Sequence, residues 1–127
     1  MVDDEAALAE MLQEMLGGLG YQVVAFTKAS EALQYIQSRP HAVDLLITDQ
    51  TMPRLTGLEL VARARECKAG LPAVLCSGYG DPELIAHAGR ARVKFVPKPI
   101  TLNELSAAMR AVLMSASNES LGLDPGN

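Results

Sequence analysis

Aromatic residues make up only 4% of this 127-residue chain and tryptophan is absent, so a core must be built from aliphatic side chains. No apolar run approaches the roughly 18 residues that would span a bilayer, and no basic, apolar-cored leader precedes the first periodic segment. The chain is therefore expected to be soluble and cytoplasmic, with no membrane insertion. Positive charge is also scarce: 11 Lys and Arg face 15 Asp and Glu, for a net charge of -4. With the basic residues scattered, direct binding of nucleic acid is not expected. Cysteine occurs twice, at Cys67 and Cys76, without a C-x-x-C pair or a histidine at ligand spacing. That excludes a disulfide framework or a zinc site, and both are expected to be buried thiols in a reducing cytoplasm.

What remains is the composition of one globular domain, 49% apolar and 20% charged, at a length that builds a single core. Leu8, Met11, Leu12, Met15 and Leu16 recur at helical spacing and predict a helix from Glu5 to Leu16, with Met11 and Met15 as core filler and Gly17-Gly18 and Gly20 as its stop. Tyr21 to Phe26 is β-rich. Ser30 is placed to cap a helix that carries Leu33 and Ile36 as far as Arg39-Pro40. Asp44 to Thr48 is almost wholly apolar, as a strand covered on both faces should be.

A turn at Gln50 to Arg54 then leads to Thr56 and Glu59, spaced as a capping box for the next helix. Leu71 to Cys76 predicts another buried strand, Glu83 to Arg90 a short helix with Pro82 where it can begin, and Val93 to Val96 the last strand. Thr101 and Glu104 open a final helix striped by Leu102, Leu105, Met109, Val112 and Leu113. Periodicity fades after about Ser115, which divides the chain into a domain over 1–115 and a C-terminal tail over 116–127. Arg63, Arg65 and Lys68 are expected on a solvated helix face, and His41 and His87 on the surface.

Strand and helix alternate, which argues for an α/β fold with a parallel, doubly wound sheet. Every helix but the first has a strand before it. Only the stub Met1-Val2 precedes that one, so Asp3 and Asp4 are expected just past the carboxyl end of a largely truncated first strand. Ligands of such sheets bind beyond the carboxyl ends of the strands, where Asp3, Asp4, Asp49, Ser77 and Lys98 all fall. Three carboxylates gathered there need a divalent cation and an ammonium for compensation. Oxygen ligands and water suit Mg²⁺.

The ordered set VDDE, LLITDQTMP, LCSG and VPKP resembles the receiver domain of two-component response regulators (CheY-like) from Val2 to about Ser115. The resemblance implies a five-stranded flavodoxin-like sheet of order 2-1-3-4-5 flanked by five helices. It implies that Asp49 accepts a phosphoryl group from the phosphohistidine of a sensor histidine kinase or His phosphotransfer domain. Asp4 would bind Mg²⁺ directly, Asp3 through water, and the Thr51 carbonyl would complete the ligands beside Asp49. Lys98 would pair with Asp49 and later with the phosphoryl group, its bond to Pro99 being cis.

Ser77 would bond the phosphoryl group, with Phe95 as the aromatic switch and the 84–109 face as the output surface. Phe has no hydroxyl to satisfy when buried, so its inward state should be the less conditional. Thr51 and Tyr79 would flank the path of water to the acyl phosphate, with Tyr79 hindering it.

Two other readings stand beside this one. A receiver-shaped module that binds its partner without phosphorylation is the rival, although the acids, hydroxyl and lysine are all present. A Mg²⁺-dependent phosphohydrolase fits less well, because Gln50-Thr51 supply no second acid two residues beyond Asp49. The wording around TDQTMPRLTGLEL and LCSGY is similar to receivers attached to hybrid sensor histidine kinases.

Overall fold

The computed structural model describes residues 1–78 and 82–120. Three parallel strands, β1 (Leu46–Asp49), β2 (Ala73–Ser77) and β3 (Lys94–Pro97), lie side by side in that order. Every residue of β1 and β2 is buried. Their apolar runs are thus the sequence counterpart of a sheet sandwiched between helices. The register pairs Asp49 with Cys76 and Ser77 with Pro97, which aligns the carboxyl ends of all three strands.

The two further strands expected from the sequence survive only as single bridges. Val2 is bridged in parallel to Thr48 on one side and Phe26 on the other. Four backbone bonds hold it there: Val2 N–H to Ile47 O (2.8 Å), Asp49 N–H to Val2 O (2.9 Å), Phe26 N–H to Met1 O (2.9 Å) and Asp3 N–H to Phe26 O (3.0 Å). The spatial order is therefore the expected one. The extent is not: Tyr21 to Ala25 form no strand, because only Met1 to Asp3 lie alongside to pair with.

Five helices cover the sheet: α1 (Ala6–Gly18), α2 (Ala29–Ser38), α3 (Gly57–Cys67), α4 (Pro82–Arg90) and α5 (Leu102–Ser120). Leu12 and Leu16 of α1 join Leu105 and Met109 of α5 against one face of the sheet. Ala32 and Ile36 of α2 join Leu60, Val61 and Ala88 of α3 and α4 against the other. The predicted capping box at Thr56 is complete, Glu59 N–H donating to Thr56 Oγ1 at 3.2 Å and Thr56 N–H to Glu59 Oε1 at 3.1 Å. At Thr101 the hydroxyl accepts from Glu104 N–H at 3.2 Å.

Several local expectations need correction. α1 runs through Gly17 and Gly18, and the chain turns only at Gly20, whose φ of 97° is open to glycine. Met11 is 44% exposed, one position outside the Ala9, Leu12 and Leu16 stripe, so it is not core. Ser30 lies inside α2 rather than capping it, since Ala32 N–H already closes the first turn on Lys28 O. α2 stops at Ser38, and Pro40–Ala42 form a 3₁₀ turn. α5 continues to Ser120, beyond the point where its apolar stripe fades.

Arg65 and Lys68 do not belong to a solvated face, although Arg63 does. Lys68 Nζ donates to Pro40 O (3.0 Å) and Val43 O. Arg65 donates to Leu71 O, Ala91 O and Arg92 O. Loop carbonyls, invisible in a helical wheel, claim both cations.

The two cysteines also part company. Cys76 is buried in β2 while Cys67, the last residue of α3, is exposed. Burial pushes the Cys76 thiol up to about 12, with Lys98 opposing and Asp49 and Asp3 adding to the rise. Since the thiolate is the reactive form, a disulfide reagent at pH 8 should titrate one thiol quickly and the second only on unfolding. Fast modification of both in the folded protein, or retention of the fast phase in Cys67→Ser, would contradict this placement.

Candidate functional site

Asp49 ends β1 and is 6% exposed; Asp3 is 1% exposed, while Asp4 faces solvent. The ladder around Val2 carries Asp3 to the same sheet end as Asp49. Asp3 Oδ1 also accepts from Glu5 N–H at 2.9 Å, which ties the acid to the start of α1. Carboxylate oxygens of Asp3, Asp4 and Asp49 all lie within 4.8 Å of one another.

Lys98 follows β3 and is registered by its own N–H to Ser77 O at 2.9 Å. The Lys98–Pro99 peptide is cis, as expected. Its ammonium sits 3.1 Å from Asp49 Oδ1 and 3.3 Å from Asp3 Oδ2. The lysine thus bridges two acids, where the sequence reading paired it with Asp49 alone.

The electrostatics follow from this crowding. Burial pushes the Asp49 carboxyl above its ordinary range; the bond to Lys98 and its charge pull it back, and Asp3 and Asp4 add repulsion. For Lys98, burial acts to lower the ammonium, yet the bond to Asp49 and the charges of Asp3 and Asp49 outweigh it and raise it. The charged form of Lys98 is thus favoured, while at Asp49 the lysine offsets only part of the cost of burial. Three carboxylates and one ammonium leave a formal charge of -2. One divalent cation with oxygen ligands cancels it, and the donor set fits Mg²⁺.

Ser77, at the end of β2, is buried at 2% exposure, and Thr51 is exposed in the loop after Asp49. Phe95 is half-buried on β3, opposite Leu75 in register, and packs against the cluster that contains Ala88 and Leu75. Tyr79, expected to screen the site from water, lies outside the described residues.

Two residues without a role in the sequence reading hold Asp49 in place. Gln50 N–H donates to Cys76 O (2.9 Å), its carbonyl accepts from Gly57 N–H (3.0 Å), and its Oε1 accepts from Leu58 N–H (3.0 Å). It therefore clamps the start of α3 onto the end of β1. Gly57 permits that approach: a Cβ there would stand 2.4 Å from Asp49 O and 2.6 Å from Leu75 Cδ1. The available signal was a glycine at the first helical position, where other residues would serve the helix better.

A parallel α/β sheet covered by helices, with acids and a lysine gathered at its carboxyl edge, defines a doubly wound, flavodoxin-like domain. The comparison with known proteins narrows it. The response regulator receiver domain family matches residues 1–110, and the chain belongs to that family, the receiver domain of two-component signalling. It is 38% identical over 121 residues to response regulator MprA of Mycobacterium avium, covering 94% of this chain and 52% of that protein. It is 39% identical over 115 residues to MprA of Mycobacterium ulcerans, covering 89% and 48%.

The chain thus spans about half the length of these curated relatives. Among solved structures, the receiver domain of the hybrid histidine kinase CckA is 30% identical with a TM-score of 0.74, covering 88% of this chain and 94% of that one. A receiver domain from Clostridium thermocellum, at 22% identity and a TM-score of 0.85 over 91% and 93%, shares the fold. No described helix is long and apolar enough to cross a membrane.

Gly57→Ala should lower stability by about 1–3 kcal/mol, because its new methyl meets backbone and a packed leucine rather than a yielding side-chain tip. Thermal unfolding measures this. A variant as stable as the parent would contradict the close approach.

Proposed function

We propose that Asp49 is the phosphoacceptor of this receiver. A carboxylate oxygen of Asp49 attacks the phosphorus of a phosphohistidine on a sensor histidine kinase or His phosphotransfer domain. The P–N bond breaks, its electron pair returns to the imidazole, and the ring takes up a proton. No general base is needed, because the nucleophile is the carboxylate itself, whose ionised form Lys98 favours. The observation that carries this reading is the convergence of Asp3, Asp4 and Asp49 with Lys98 on Asp49 Oδ1 at 3.1 Å.

Phosphoryl transfer depends mainly on positioning and on neutralising charge at the transferring oxygens. Asp3, Asp4 and Asp49, with the Thr51 carbonyl, would hold Mg²⁺, which neutralises phosphoryl charge when bound. Lys98 turns from the Asp49 carboxylate to a phosphoryl oxygen of the product. Ser77, on the neighbouring strand end, donates its hydroxyl to another and draws its loop inward. Phosphorylation replaces one negative charge with roughly two and adds acceptor oxygens.

That gain is relayed by Phe95, half-buried on β3, to the 84–109 face, where a downstream protein docks. The domain turns over only its own aspartyl phosphate and has no separate substrate. Residues 1–115 carry these functions and 116–127 extend beyond them. The likeness to the CckA receiver supports a place in a phosphorelay, either within a hybrid kinase or as its target, in the cytoplasm.

Acetyl phosphate with Mg²⁺ should label the wild type with one phosphoryl group, and Asp49→Asn should lose it. Asp4→Asn should slow labelling by at least about tenfold, the factor for removing a group worth about 1.4 kcal/mol in the transition state. Undiminished labelling of Asp49→Asn, or Mg²⁺-independent labelling of the wild type, would overturn the assignment.

A further inference from the structure

The start of an α-helix leaves its first backbone N–H groups without partners inside the helix. At α3 these donors are met from two sides. The capping box satisfies Thr56 N–H and Glu59 N–H from within the helix itself. Gln50 satisfies the two between them, Gly57 N–H with its main-chain carbonyl and Leu58 N–H with Oε1, each at 3.0 Å. The first cap is local to the helix. The second ties the helix to the residue that directly follows Asp49.

The chain between the two caps begins with Thr51, which makes no hydrogen bond among the described residues. Beyond it the loop is tied down: the Thr48 hydroxyl meets Met52 Sδ at 4.0 Å, and Leu55 N–H donates to Pro53 O at 2.8 Å. The direction of the Thr51 carbonyl is therefore set by its chain neighbours, Gln50 before it and Met52 after. Gln50 is held at its amide by Cys76 O and at both its carbonyls by α3. A side-chain amide suits this place beside three acids, because it accepts a hydrogen bond without adding charge.

We propose that Gln50 is a positioning residue of the cation site. Its side-chain bond to α3 aims the Thr51 carbonyl, so that affinity for Mg²⁺ depends on a side chain that does not touch the ion. The inference rests on the reading of Asp3, Asp4, Asp49 and Thr51 as the Mg²⁺ ligands. Without Oε1, Leu58 N–H turns to water and the peptide between residues 50 and 51 is free to rotate. Mg²⁺ demands near-ideal octahedral geometry and tolerates little of that. Groups one step removed from a metal orient its ligands, and losing one weakens binding by about 10–100-fold.

The test is a calorimetric titration of Mg²⁺ into the 127-residue chain as wild type, Gln50→Met and Thr56→Val, each well below its thermal midpoint. Gln50→Met keeps the length of the side chain and loses the acceptor. Thr56→Val keeps the shape of the N-cap and loses its hydroxyl. Each removes one capping bond from the same turn, so each should lower the midpoint. Only Gln50→Met should weaken Mg²⁺ binding, by about tenfold, with Thr56→Val unchanged. Gln50→Asn, which carries the amide on a shorter stem, should weaken binding as Gln50→Met does, and it replaces that variant if the latter does not fold.

Undiminished Mg²⁺ affinity in the Gln50 variants would overturn the proposal. So would an equal loss in Thr56→Val, which would reduce the effect to helix stability. In both cases the wild type still binds Mg²⁺ and its ligands stand as assigned, whereas a wild type that binds no Mg²⁺ would overturn that assignment together with this inference.

Discussion

One ammonium between two buried carboxylates organises this domain. Lys98 lies within 3.3 Å of both Asp3 and Asp49, and Asp4 crowds the same space. At an effective dielectric of about 20, unit charges about 4 Å apart interact by about 4 kcal/mol. That is a large part of the roughly 5–15 kcal/mol that holds a domain folded. Gathering the acids without their cation would therefore cost much of the domain's stability, and Lys98 is drawn in from solvent by the acids it faces. Positions 3, 49 and 98 are far apart in the chain, so the cluster exists only when strands from three regions end together.

The fold meets that requirement with backbone geometry. β1, β2 and β3 are in register at their carboxyl ends, Val2 brings Asp3 alongside, and Ser77 O fixes the Lys98 backbone. Gln50 and Gly57 then lock the start of α3 against the end of β1. The acid that would take the phosphoryl group is thus positioned by the backbone around it, and its side chain meets Lys98. At the centre of the sheet, Met1 to Asp3 pair with Phe26 on one side and with β1 on the other.

Much of this was legible beforehand because the signals were local. Continuous apolar runs marked β1 and β2, a Thr and Glu three apart marked the start of α3, and the order of acids and lysine marked the site. The failures share a different character. Tyr21 to Phe26 has strand-forming residues, but a strand needs a neighbour, and pairing is not written in a segment's own composition. Arg65 and Lys68 look like surface charge until the loops at 40–43 and 91–92 bring carbonyls to them. Gly57 looks like an indifferent first helical residue until Asp49 O is seen beneath it. The second partner of Lys98 is hidden for the same reason: contact with Asp3 depends on how far Met1 to Asp3 are drawn into the sheet.

Thermal unfolding of Lys98→Met beside the wild type, with and without millimolar Mg²⁺, tests the shared charge cluster most directly. Without its ammonium the acid cluster should be less stable, and Mg²⁺ should raise the variant's midpoint by more than the parent's, since a larger uncompensated charge awaits it. An Mg²⁺ response absent from both proteins, or no larger in Lys98→Met, would contradict the claim that these charges share one pocket.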